Sequence, residues 1–172
     1  MLKFWQKRID KSAELSALFY HRLVQQVRNE WFYRDLAIAD SPFGRFEVMT
    51  IHLFLILKRL KQENTSFAGK IAQEITNLFV IDLDESLRDL RLSEAKIAKQ
   101  FNKFIQGFYG RLIAYDVAFD ESDKALKDVV HRNLYAQLAE KEMHIQKIVS
   151  YIRQQLDFLQ QQDSTLLKFG DI

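Results

Sequence analysis

The side chains able to do chemistry are few. There are four histidines, His21, His52, His131 and His144, and no cysteine. The missing thiol excludes a disulfide scaffold, a thiolate nucleophile, a cysteine-ligated zinc site and an iron–sulfur cluster. A carboxylate-bridged di-iron bundle needs two Glu-x-x-His motifs and two further glutamates, and Asp128-Val-Val-His131 is a single aspartate version. Asp82, Asp84, Glu85 and Asp89 crowd one stretch, where general acid/base work or calcium could draw on them. Calcium, however, takes its oxygens from flexible loops, and clustered carboxylates are more often structural ion-pair networks. His52 could bind haem or metal, but a hydrogen-bonded core histidine is the commoner fate. Phosphate loops, nucleophile elbows and dinucleotide fingerprints are absent from the sequence. Phe108-Tyr109-Gly110-Arg111 could suggest nucleic acid, yet on a helix these four side chains diverge. No catalytic residue, metal or cofactor is expected.

The elements that must position these groups are helices. The chain has 172 residues, 48% hydrophobic and 13% aromatic, with one proline and five glycines. So few turn residues argue against a sandwich or barrel, and the length suits one domain. The expected fold is an all-α, single-domain bundle of five to six helices. Net charge is +2, too small to imply nucleic acid. Residues 1–34 are more basic, with Lys3, Lys7, Arg8, Lys11, Arg22, Arg28 and Arg34 against Asp10, Glu14 and Glu30. The expected layout is a basic N-terminal arm over 1–10, a helical domain over 11–162 and a flexible tail over 163–172. The arm is suited to RNA or an anionic membrane surface, although a solvated helix face has the same composition. No stretch reaches the ~20 apolar residues that span a bilayer, and neither a secretory signal nor a transit peptide is legible. A cytoplasmic location follows as the expectation.

Apolar spacing places a first helix over 11–27 and reads Trp31-Phe32-Tyr33 as a connection pinned by its rings. Ser41 and Pro42 suit the N-cap and N1 of a nearly all-apolar, central helix over about 42–61. A third helix covers 67–90, with Asp82 falling on its apolar face. An ionised carboxylate there needs a partner from another helix, and Arg45 or Arg111 is the expected one. Ser93 caps a fourth helix whose stripe runs from Ile97 to Phe119. Gly107 and Gly110 within it suggest close contact or a local break. The last two apolar segments, after Asp120–Asp123, read equally as two helices or one rod.

Several strings together resemble the ubiquinol–cytochrome c chaperone family. They are Phe32-Tyr33-Arg34-Asp35-Leu36, Asp40-Ser41-Pro42-Phe43-Gly44-Arg45-Phe46-Glu47, His52-Leu53-Phe54-Leu55 and Arg59-Leu60. Asp82-Leu83-Asp84-Glu85-Ser86-Leu87-Arg88-Asp89, Phe108-Tyr109-Gly110-Arg111, Tyr115 and Arg132-Asn133-Leu134-Tyr135 complete the set. Ala37 and Leu90-Arg91 stand where the family tends to carry glycine. The resemblance implies an assembly chaperone and not an enzyme: a module receiving newly made cytochrome b for respiratory complex III. A small co-chaperone and the ribosome are implied partners, with peripheral contact at the cytoplasmic face of the inner membrane and no sequence-specific nucleic acid. Arg45, Glu47, His52, Asp82, Asp84, Arg88, Tyr109, Arg111 and Asn133 are the candidates for ion pairing or partner contact. The rival readings are a helical adaptor that docks a ribosome or membrane without handling cytochrome b, and a small metal or haem protein.

Overall fold

The computed structural model describes the backbone of residues 2–138 and 141–171 and the side chains from Lys11 onward. Its helices are α1 (Leu2–Val27), α2 (Trp31–Arg34), α3 (Pro42–Gln62), α4 (Ser66–Arg88), α5 (Glu94–Glu121), α6 (Asp123–Leu134) and α7 (Glu142–Gln160). No strand occurs among the described residues. The all-α reading is correct. Lys3, Lys7 and Arg8 lie on α1, but their side chains fall outside the described residues.

α3 begins where Ser41, extended at φ −134°, accepts a hydrogen bond on Oγ from the Gly44 amide (3.1 Å), with Pro42 next. α1, α4, α5, α6 and α7 all pack against it. Val48, Ile51, Leu53, Phe54, Leu55, Ile56 and Leu60 are therefore buried on every side of one helix. The loop before α3 approaches it closely, because a Cβ at position 44 would run into the Ala39 carbonyl. The aromatic connection coils into the single turn α2. Phe32 is buried and packs edge-on to the rings of Trp31, Tyr33, His52 and Tyr151.

α6 and α7 are two helices, although neither proline nor glycine separates them. Tyr135 ends α6: its ring is buried and its hydroxyl donates to the Leu36 carbonyl (2.9 Å). That docking ends the helical path, and α7 returns against α6 with Arg153 on Asp123 (2.9 Å). Residues 163–171, expected as a flexible tail, instead lie along the body with Leu167 buried. Ser93 takes the N-cap of α5 without a side-chain hydrogen bond.

Ala37 and Arg91 both have φ 52°, the left-handed region in which a Cβ crowds the following carbonyl. The family resemblance places glycine at both positions. Ala37→Gly and Arg91→Gly should each stabilise by up to about 1 kcal/mol, since the strain relieved exceeds the added chain entropy. Gly44→Ala should destabilise. Thermal unfolding of the three variants checks both signs, and a lower melting temperature for Ala37→Gly would contradict the strain.

Candidate functional site

Glu47 is buried on α3 and faces Arg111 of α5. The guanidinium meets it side-on, Nε at 2.7 Å from Oε2 and Nη2 at 2.6 Å from Oε1, while Nη1 donates to the Gly107 carbonyl (3.1 Å). Gly107 is what lets the arginine fold back, because a Cβ there would lie 2.8 Å from Nη1. The cation also sits over the rings of Phe43 and Phe46. Burial raises the Glu47 pKa, against the pull of the Arg111 hydrogen bonds. Next to this pair, the fully buried Tyr115 hydroxyl interacts with Asn133 of α6, and its burial raises its pKa. The structure thus joins Glu47, Arg111 and Asn133 of the expected residues.

Asp82 is not part of that cluster, and its expected pairing with Arg45 or Arg111 does not occur. It is exposed at the edge of α4 and accepts a hydrogen bond from the Tyr20 hydroxyl of α1 (2.7 Å). The buried line of α4 runs through Ala68, Ile71, Ile75, Phe79 and Leu87. Leu78, on the same side as Asp82, is only half-buried. At about 100° per residue the centre of that line lies roughly 40° away from Asp82. Arg45 pairs with Asp40 instead (2.6 and 3.2 Å) and lies over Tyr33, holding the loop before α3. Asp84 and Arg88 form an exposed pair (2.7 Å) that reaches Glu94 across the turn between α4 and α5.

His52 is fully buried, with both ring nitrogens engaged. Nδ1–H donates to the Val48 carbonyl (2.7 Å), which leaves Nε2 to accept from the Tyr151 hydroxyl (2.7 Å). Tyr151 in turn accepts from Gln26 of α1 (3.1 Å). This is a structural network, with no lone pair left for a metal or haem iron. Desolvation lowers the His52 pKa to about 4. Sequence reasoning also missed Arg59, buried on α3, which donates to the Leu159 and Gln162 carbonyls (3.0 Å each) at the end of α7. A cation at a helix C-terminus offsets the partial charge there, and a basic residue inside an apolar run was the available signal.

Tyr109 is different: it faces solvent. Tyr109, Ile113 and Val117 are 48%, 67% and 61% exposed and follow one another by a helical turn along α5. Gly110 lies among them with open space above it. Between α3 and α4 lies a cleft of about 480 Å³ bounded by Leu57, Lys61, Gly69 and Ala72. A second hollow, sharing Leu57 and Lys61, connects it to Leu112 and Ile113. Lys58 stands at the rim, paired with Asp116 (2.6 Å) and Asp120 (2.8 Å). The arrangement offers apolar contact with a charged edge. Lys11 is exposed on α1.

Two stability measurements test this division of roles. Arg111→Met strands a buried carboxylate and should cost about 3–5 kcal/mol, whereas Asp82→Ala should cost about 1 kcal/mol or less; equal melting temperatures would refute it. For His52, the folded-state pKa lies below the unfolded value of 6.5. Between these pKa values the unfolded chain binds more protons, so stability is fully present above 6.5 and falls as pH drops toward 4. The loss should approach about 3 kcal/mol, and His52→Gln should flatten that slope in acid titrations followed by chemical denaturation.

Three comparisons bear on this arrangement. The chain is 23% identical to the ubiquinol-cytochrome-c reductase complex assembly factor 1 of Xenopus laevis over 155 residues, covering 89% of this chain and 76% of that one. Against the human protein of that name the identity is also 23%, and the chain spans 51% of its length. The crystal structure of the Cbp3 homolog from Brucella abortus superposes with a TM-score of 0.87 at 28% identity, covering 99% of this chain and 96% of that one. No helix among the described residues is long and apolar enough to cross a membrane. The model of the ubiquinol-cytochrome C chaperone family matches residues 34–171, and the chain belongs to that family.

Proposed function

We propose that this protein is an assembly chaperone that holds newly made cytochrome b and promotes its incorporation into the cytochrome bc-type respiratory complex, without catalysing a reaction. The observation that carries the reading is the open apolar stripe of Tyr109, Ile113 and Val117 beside the Leu57 cleft. An amphipathic or fully apolar client helix needs such a face with a polar rim. Relatives named for assembly of the ubiquinol–cytochrome c reductase complex support the choice of client. A small co-chaperone and the ribosome are partners on the same reading, with the work done at the cytoplasmic face of the inner membrane. Asp84, Arg88 and Arg45 remain on exposed surface where a partner can reach them.

The metal or haem alternative finds little support in the geometry. His52 has no free nitrogen, and no group of three His, Asp or Glu gathers among the described residues.

The test pairs capture with folding. Ile113→Asp with Val117→Asp should remove co-purification of cytochrome b from cells expressing the tagged chain. Unfolding free energy should stay within about 0.5 kcal/mol, as is usual for surface substitutions. Unchanged capture would overturn the assignment of the α5 face. Selective loss of the b-type cytochrome spectrum on gene deletion supports the client, whereas an intact spectrum favours the adaptor reading.

A further inference from the structure

α1 and α7 both pack on α3, and residues 166–170 fill the trough between them, over His52. This segment is held mainly by side chains. Past Leu166 its hydrogen bonds among the described residues run to side chains, not to other main chain. Arg22 of α1 donates to the Leu166 (3.2 Å) and Leu167 (2.7 Å) carbonyls. Gln162 clasps Lys168 at both main-chain groups, accepting from its amide and donating to its carbonyl (2.9 Å each). Gln155 does the same two residues on, accepting from the Gly170 amide (2.8 Å) and donating to its carbonyl (3.4 Å). Gln26 of α1 adds a second donor to the Gly170 carbonyl (3.3 Å).

The two glutamine clasps, at Lys168 and Gly170, engage the main chain at alternate residues, the register in which strand-like peptides are read. Main-chain contacts of this kind do not depend on side-chain identity. Selectivity comes from the residues between them. Leu167 is buried, and the Phe169 ring lies edge-on to His52 with centroids 4.8 Å apart. A Cβ at position 170 would lie 3.3 Å from the Phe158 ring, so the segment passes closest at its glycine. Lys168, by contrast, has its side chain exposed.

We propose that the trough is a binding site for an extended peptide of pattern leucine–any–aromatic–glycine, and that residues 167–170 are its intramolecular occupant. The partner is a polypeptide segment of that pattern, which gains access when the occupant leaves. Because the trough lies on α1, α3 and α7 and the apolar stripe lies on α5, the inference is independent of the client reading.

The full chain carrying Leu167→Ser and Phe169→Ser disables the occupant and leaves the trough walls unchanged. A fluorescein-labelled peptide of residues 164–171 should bind this variant saturably by anisotropy. It should bind the unsubstituted chain at least about tenfold more weakly, since a tethered occupant competes at high effective concentration. Adding Gln155→Ala to the double variant, or replacing the peptide's leucine and phenylalanine with serine, should abolish binding. Should the double variant lose helical circular dichroism, restoration of that signal by the peptide supports the site, and failure to restore it overturns the proposal. A folded double variant that does not bind the peptide overturns it equally.

Discussion

A helix enclosed on every side must find, within the protein, a partner for each polar group that it carries. α3 is such a helix. Its Glu47, Thr50, His52 and Arg59 are all buried, and each is answered from a different direction: Arg111 on α5, the helix's own Phe46 carbonyl, Tyr151 on α7, and the last carbonyls of α7. Apolar contact would let the surrounding helices slide, but these directional bonds permit few arrangements. The rest of the bundle is arranged by that demand. Gly107 has no side chain because Arg111 must fold over it, and α7 ends where Arg59 can reach its carbonyls.

The division between structural and available residues follows. Those of the family's polar residues that point inward at α3 serve packing, while Tyr109 and the residues a turn further on face outward. On α5 the two roles share one helix: Phe108, Tyr115 and Ala118 are buried, and Tyr109, Ile113 and Val117 stand open to solvent. A rigid inner face holding an apolar outer face in place is what a binding module requires. Surface apolar residues occur singly on many proteins, but Tyr109, Ile113 and Val117 on successive turns form a continuous strip.

Much of the fold was legible from local rules. Ser41-Pro42 marked the start of α3, the apolar period marked the helices, and scarcity of glycine and proline gave the class. Ala37 and Arg91 could be singled out only through family resemblance, and the backbone there is left-handed. The sequence misled where a face had to be placed to better than one residue. The spacing put Asp82 on the apolar face, whereas the buried line of α4 is centred about 40° away and leaves Asp82 exposed at its edge. Nothing local shows that Tyr135 docks on the Leu36 carbonyl, so one rod or two stayed undecided.

By itself, then, the sequence determined the class of fold, the central helix and the set of polar residues that had to be accounted for, because these depend on composition and on spacing within about a turn or two. Which acid met which arginine, where the path between α6 and α7 broke, and that residues 166–170 lie clasped in a trough were decided by tertiary structure alone. These pairings join positions as far apart as Glu47 and Arg111, or Gln26 and Gly170. Their partners are chosen by the relative rotation of packed helices, a quantity that no single helix encodes.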